Sequence, residues 1–131
     1  MNAFITKDSG TREEYKSGMR RDTQTDKPDF SLIMAKDLPY EEQLITRWAG
    51  LMTRGADKYG ARNWEKACSE EELARFKASA FRHFMQFMAG ETDEDHASAV
   101  MFNLNAHEYV KYRLNHPEWL EELKEQAMRD L

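Results

Sequence analysis

The sequence predicts an all-α chain, an antiparallel bundle of about four helices behind an extended N-terminal arm. Three observations predict it. Apolar residues recur at helical spacing through most of residues 37–131. Helix-start and helix-stop residues bracket each periodic stretch. No run of strand-like alternation, internal repeat or low-complexity tract competes with that reading. The connections between the helices are short, which makes sequential helices antiparallel neighbours.

Residues 1–36 hold no sustained period. Asp8, Ser9, Gly10, Gly18 and Pro28 interrupt any helix, and Phe30, Leu32, Ile33 and Met34 form one short apolar anchor. This segment is expected to be an extended arm lying on the rest of the chain or on a partner subunit. Residues 37–131 form the single helical domain. The first helix is expected from about Leu38, with Asp37 as N-cap, Pro39 where a helix tolerates it and Glu41 and Glu42 in the first turn. Leu44, Ile45, Trp48, Leu51, Met52 and Ala56 repeat on one face, and Gly60 is a fitting stop. The second helix opens on a capping box, Ser69 with Glu72 three residues on. Its apolar face reads Leu73, Phe76, Ala80, Phe84, Phe87 and Met88, and Gly90 ends it. The third helix can start with Thr92 as N-cap and Asp95 at the third position. Ala97, Val100, Met101, Leu104 and Val110 carry its stripe until Pro117. A short fourth helix has Pro117 at its start, with Leu120, Leu123, Ala127 and Met128 on one side.

Composition narrows the function. The chain has 131 residues, enough for one domain with one core. Its net charge is -5 with acids and bases interspersed, so it lacks the basic face that duplex nucleic acid requires. No apolar run is long enough to cross a membrane. Met1 to Gly10 has no apolar signal-peptide region, and Cys68 is the one cysteine, so a cytoplasmic location is expected. Eight Met with three Trp, five Tyr and seven Phe imply a well-filled core or a sizeable oligomer interface.

Antiparallel packing would gather Glu41, Glu42, His83, Gln86, Glu91, Glu94, Asp95 and His96 at one end of the bundle. Glu91, Glu94 and Asp95, at i, i+3 and i+4, would share a helical face. Three clustered carboxylates repel unless a cation neutralises them, and a hard divalent ion such as Mg²⁺ or Mn²⁺ is the natural occupant. The competing reading is an acidic first turn that complements the helix dipole. His83 sits among Phe81, Phe84 and Phe87, where a hydrogen-bonded core histidine is the competing outcome. Lys58, Tyr59, Asn63 and Trp64 combine a cation, two rings and a carboxamide in one loop. Rings stack on bases and an amide reads a base edge, although a helix cap with Trp64 plugging the core uses the same residues. Arg20, Arg21 and Lys27 in the arm offer charge to phosphates, or form a solvated tail. The loop would fall at the far end of the first helix, roughly 30 Å away for some 20 residues at 1.5 Å each. Groups so separated would serve one ligand across a subunit interface or through the arm. A homodimer or homotetramer is therefore expected.

The order Arg21-Asp22, Lys27-Pro28, Leu32-Ile33, Gly55-Ala56, Lys58-Tyr59-Gly60, Asn63-Trp64, Arg82-His83, Gly90-Glu91, His96 and Asn103 resembles the phage dATP/dGTP diphosphohydrolases, which belong with the MazG-like all-α nucleotide pyrophosphohydrolases. The likeness covers roughly residues 15–112. It implies a magnesium-dependent cleavage of a purine deoxynucleoside triphosphate between its α and β phosphates, in the host cytoplasm. Glu91, Glu94 and Asp95 would be catalytic and hold the metal. The second helix has no acidic pair near its end, so Glu41 or Glu42 would supply a further ligand. Arg21, Lys27, Lys58, Tyr59, Asn63, Trp64, Arg82, His83, His96 and Asn103 would bind substrate. A reading of another class treats the chain as a non-catalytic helical phage module that binds a host protein or assembles structurally.

Overall fold

The computed structural model describes residues 4–23 and 26–131, without the side chain of Leu120. Positions 1–3 and 24–25 of the expected arm, and the Leu120 contact in the fourth helix, lie outside the described residues. Contacts divide the chain into one unit over Met1–Ala35 and another over Lys36–Leu131.

The first unit is not simply extended. β1 (Arg12–Glu14) pairs antiparallel with β2 (Arg20–Asp22), in a register that sets Arg12 against Asp22 and Glu14 against Arg20. The turn closes through the Tyr15 N–H on the Met19 carbonyl (2.8 Å) and the Gly18 N–H on the Tyr15 carbonyl (2.8 Å). Gly18 takes a φ of 90°, which a side chain would resist. Asp22 anchors the hairpin base by accepting from the N–H and hydroxyl of Ser9, with Arg12 and Lys27 beside it. A short 3-10 turn over Phe30–Ile33 follows, capped by Asp29. Strands of Arg, Glu and Asp carry no apolar alternation, so their hairpin left no periodic signal in the sequence.

The second unit is all-helical, with α1 (Leu44–Tyr59), α2 (Glu70–Met88), α3 (His96–Asn115) and α4 (Trp119–Arg129). α1 starts six residues later than the sequence predicts. Tyr40–Glu42 is a separate 3-10 turn, and Gln43 breaks it from α1 with extended backbone (φ -60°, ψ 137°). Gln43 is buried and donates its side-chain amide to the Leu38 carbonyl at 2.9 Å, so tertiary burial rather than local capping sets this boundary. Glu41 and Glu42 therefore precede α1 and are exposed. The end of α1 falls where expected, at Gly60 with φ 92°. The capping box of α2 is formed. Ser69 Oγ accepts the Glu72 N–H (3.1 Å), while Glu72 Oε1 accepts from Ser69 Oγ (2.8 Å) and the Cys68 N–H (3.0 Å). α3 begins at His96 with Asp95, not Thr92, as its N-cap.

α2 and α3 form the central hairpin, with α1 packed on α3 rather than on α2. His83 meets His96 and Phe76 meets Phe102, so α2 and α3 run antiparallel. Trp119 of α4 packs edge-on against Tyr109 and Tyr112. The buried apolar residues are small: Ala67, Ala80, Ala99, Ala106 and Val110. Small residues let α2 and α3 approach closely, and the line that α2 buries is Ala80 and His83 with Leu73 and Phe76 partly covered. Phe84, Phe87 and Met88, expected in the core, instead lie exposed with Phe81 and Met85.

Candidate functional site

The α2–α3 junction gathers the polar groups. Gly90, at φ 78°, turns the chain out of α2, and the Glu91 N–H returns to the Gln86 carbonyl at 3.1 Å. Glu91, Thr92, Asp93 and Glu94 then lie in a non-helical connection. The helical face expected for Glu91, Glu94 and Asp95 is thus not formed. The turn does its work by a different route. Asp95 accepts from the Ser98 N–H (3.1 Å) and hydroxyl (2.8 Å), and its two oxygens receive Arg47 Nε (2.8 Å) and Nη2 (3.1 Å). The Arg47 guanidinium, joined by the Ser98 donors, holds the Asp95 carboxyl far below the usual carboxylate range. Asp95 ties α1 to the start of α3.

Behind this clamp, His83 and His96 are 8% and 3% exposed. Their Nδ1 atoms are 2.9 Å apart, and His96 Nε2 lies 2.8 Å from Asp93 Oδ1. An ionised carboxylate only accepts, so His96 carries its proton on Nε2 and presents the Nδ1 lone pair to His83. That hydrogen bond holds Asp93 below its ordinary pKa, and burial pushes His83 down. Ligand atoms of His83, Glu94 and His96 lie within 4.8 Å of one another, as do those of Glu91, Asp93 and His96. Both groups contain a buried imidazole, whereas Mg²⁺ favours oxygen ligands. This donor set does not fit magnesium. Asp93 went unnoticed in the sequence; its one signal was its place three residues before a histidine. Arg47 went unnoticed too, as a charge set between Leu44 and Trp48 on an otherwise apolar stripe.

A second feature lies along α1. Leu51, Met52, Gly55, Ala56, Tyr59, Asn63, Trp64 and Phe102 line most of an apolar cavity of about 200 Å³, with Arg62 at its edge. Asn63 opens a 3-10 turn over Asn63–Lys66, reached through Arg62 in the left-handed region (φ 61°). Arg113 braces this loop by donating to the Glu65 (2.9 Å) and Ala67 (3.1 Å) carbonyls. Trp64 is half-buried, edge-on to Phe102 (6.4 Å) and Tyr109 (5.3 Å), while Asn63 is exposed. Trp64 therefore both packs and lines the cavity. Lys58 Nζ lies 5.1 Å from the Tyr59 ring centre, and both side chains are exposed.

The remaining expected residues are dispersed. Arg82 is exposed on α2 beside His83. Asn103 is buried and donates to the Ala99 carbonyl of its own helix at 2.8 Å. Glu42 offers Arg47 its carbonyl at 3.3 Å. In the first unit, Arg21 stands opposite Glu13 in the hairpin, and Lys27 pairs with Asp22 at 3.3 Å.

None of the helices among the described residues is long and apolar enough to cross a membrane. No curated protein and no solved structure matches the chain significantly. A family model described as dATP/dGTP diphosphohydrolase, N-terminal, matches residues 17–122 and so takes in the cavity, the clamp and the histidine pair. The chain belongs to the dATP/dGTP diphosphohydrolase N-terminal family.

Proposed function

We propose that the chain hydrolyses a purine deoxynucleoside triphosphate, dGTP or dATP, to the monophosphate and pyrophosphate. The family supports the substrate class, and the observation that carries the reading to this chain is the apolar cavity beneath Asn63 and Trp64. A flat, apolar base gains by burial against Met52, Tyr59, Trp64 and Phe102, and the exposed Asn63 amide offers both a donor and an acceptor to its edge. Phe102 lies six residues beyond His96, about 9 Å along the axis at 1.5 Å per residue. That spacing suits a nucleotide whose base sits in the cavity and whose phosphates extend toward the α2–α3 junction. One protomer can then serve both ends, so the wide separation foreseen from the sequence no longer argues for a shared site.

Water attacks the α phosphorus, the bond from that phosphorus to the bridging oxygen breaks, and pyrophosphate departs with the oxygen. Glu94, exposed at the junction, orients the water and takes up its proton, with Glu91 adding to the local field. Arg82, exposed beside His83 at the junction, offsets phosphate charge. A homo-oligomer is part of the reading, because Phe81, Phe84, Met85 and Met88 form an exposed stripe at i, i+3, i+4 and i+7 on α2, at 65%, 45%, 52% and 65% exposure. Tryptophan fluorescence tests the base pocket. A dGTP analogue that resists α–β cleavage should perturb the emission, and Trp64→Phe should remove most of the change. An unchanged emission spectrum at saturating analogue would place the base elsewhere.

A further inference from the structure

The contact between His83 and His96 has two physical readings. Neutral rings 2.9 Å apart at Nδ1 can share one N–H···N hydrogen bond. Two imidazoles bound side by side to one cation, at about 2.0–2.1 Å each, also bring their nitrogens to about 3.0 Å when the angle between them is near a right angle. Three features favour the second use. Asp93 accepts the Nε2–H of His96 and so fixes the tautomer that turns its Nδ1 lone pair inward, the arrangement by which an outer carboxylate orients a metal-ligating histidine. His83 Nε2 makes no hydrogen bond among the described residues, so that ring is free to carry its proton there and turn its own Nδ1 lone pair to the same point. Glu94 brings a carboxylate oxygen within 4.8 Å of both rings, from the solvent side.

We propose that His83, His96 and Glu94 form a binding site for one divalent transition cation of borderline hardness, of the Mn²⁺, Co²⁺, Ni²⁺ or Zn²⁺ type, in preference to Mg²⁺. Asp93 positions His96 from outside the ligand set. Two nitrogen donors and one oxygen donor suit this class, and affinity should rise from Mn²⁺ toward Ni²⁺ as it does for mixed donor sets generally. Three protein ligands leave coordination positions toward the exposed side, where Glu91, water or a phosphate oxygen can enter. The assignment rests on the donors alone, so its failure is separable from failure of the hydrolase reading.

The test uses the whole metal-free chain and Co²⁺ alone, without nucleotide, followed by the visible absorption of bound Co²⁺ and by thermal melting. One Co²⁺ should bind per chain, a large excess of Mg²⁺ should not displace it, and Ni²⁺ should raise the melting temperature more than Mn²⁺ at equal concentration. Glu94→Gln, at an exposed position, should weaken Co²⁺ at least tenfold while the far-ultraviolet circular dichroism stays unchanged. Asp93→Asn should weaken it by about 10- to 100-fold, the usual cost of losing an outer-shell partner. Equal competition by Mg²⁺, or parental Co²⁺ affinity in both variants, would overturn the site.

Discussion

Asp95 should be the costliest acidic residue to remove from the α2–α3 junction, and two substitutions divide its roles. Asn is about as good an N-cap as Asp, so Asp95→Asn keeps the Ser98 cap and removes the charge that holds Arg47. Asp95→Ala removes both. The cap contributes about 1 kcal/mol, within a range of about 0.5–2. Arg47 binds both carboxylate oxygens at 2.8 and 3.1 Å, but the two side chains keep 36% and 28% of their exposure. Solvent screening therefore holds the pair near the upper end for surface ion pairs, about 1 kcal/mol. Asp95→Asn should cost about 1 kcal/mol and Asp95→Ala about 2 kcal/mol, a large part of the 5–15 kcal/mol of an ordinary domain. The folded-state pKa of Asp95 is depressed, so its contribution is complete above the ordinary carboxylate range near 3.9 and is lost as pH falls through the depressed folded value. Urea unfolding at pH 7 and at pH 3 measures this. The gap between parent and Asp95→Asn should be full at pH 7 and narrower at pH 3. An Asp95→Asn protein as stable as the parent at pH 7, or a gap independent of pH, would refute the clamp.

Other predictions follow from single contacts. Ser69→Ala opens the capping box of α2 and should cost about 1 kcal/mol with no change in kcat/KM, measured by urea unfolding and steady-state kinetics. Asn63→Ala should narrow the kcat/KM gap between purine and pyrimidine triphosphates while leaving thermal stability near parental, since the residue is exposed. Met85→Lys places a charge in the middle of the exposed α2 stripe, and light scattering should show a lower molar mass than for the parent at tens of micromolar. A parental species that is already monomeric there would rule out this stripe as the contact.

The parts of the fold that local chemistry decides were legible in the sequence. Gly60, Gly90 and the Ser69–Glu72 box sit where their backbone geometry requires them, and the all-helical class follows from the apolar period. The start of α1 was not legible, because it depends on Gln43 being buried and bonded to Leu38, which no capping rule encodes. The face of α2 was misread for a related reason. Periodicity marks Phe84 and Met88 as apolar but cannot say whether one chain or two covers them, and the close approach of α2 to α3 selects Ala80 and His83 instead. At the site, the cluster of acids with His83 and His96 was visible as composition. Its geometry was not, because assigning Glu91 and Glu94 to a helix hid Asp93, whose partner is His96 across a non-helical turn. Arg47 was invisible for the opposite reason, since its role depends on a residue 48 positions away.

The central claim, that this chain cleaves a purine deoxynucleoside triphosphate between its α and β phosphates, is tested most directly by identifying the first products. The purified chain is incubated with dGTP and, separately, dATP in the presence of Mg²⁺ or Mn²⁺, and the nucleotide and phosphate products are resolved by anion-exchange chromatography at early times. The account predicts dGMP or dAMP with an equal amount of pyrophosphate. Release of the nucleoside diphosphate with free phosphate, of the nucleoside with triphosphate, or no turnover with either purine substrate would contradict it.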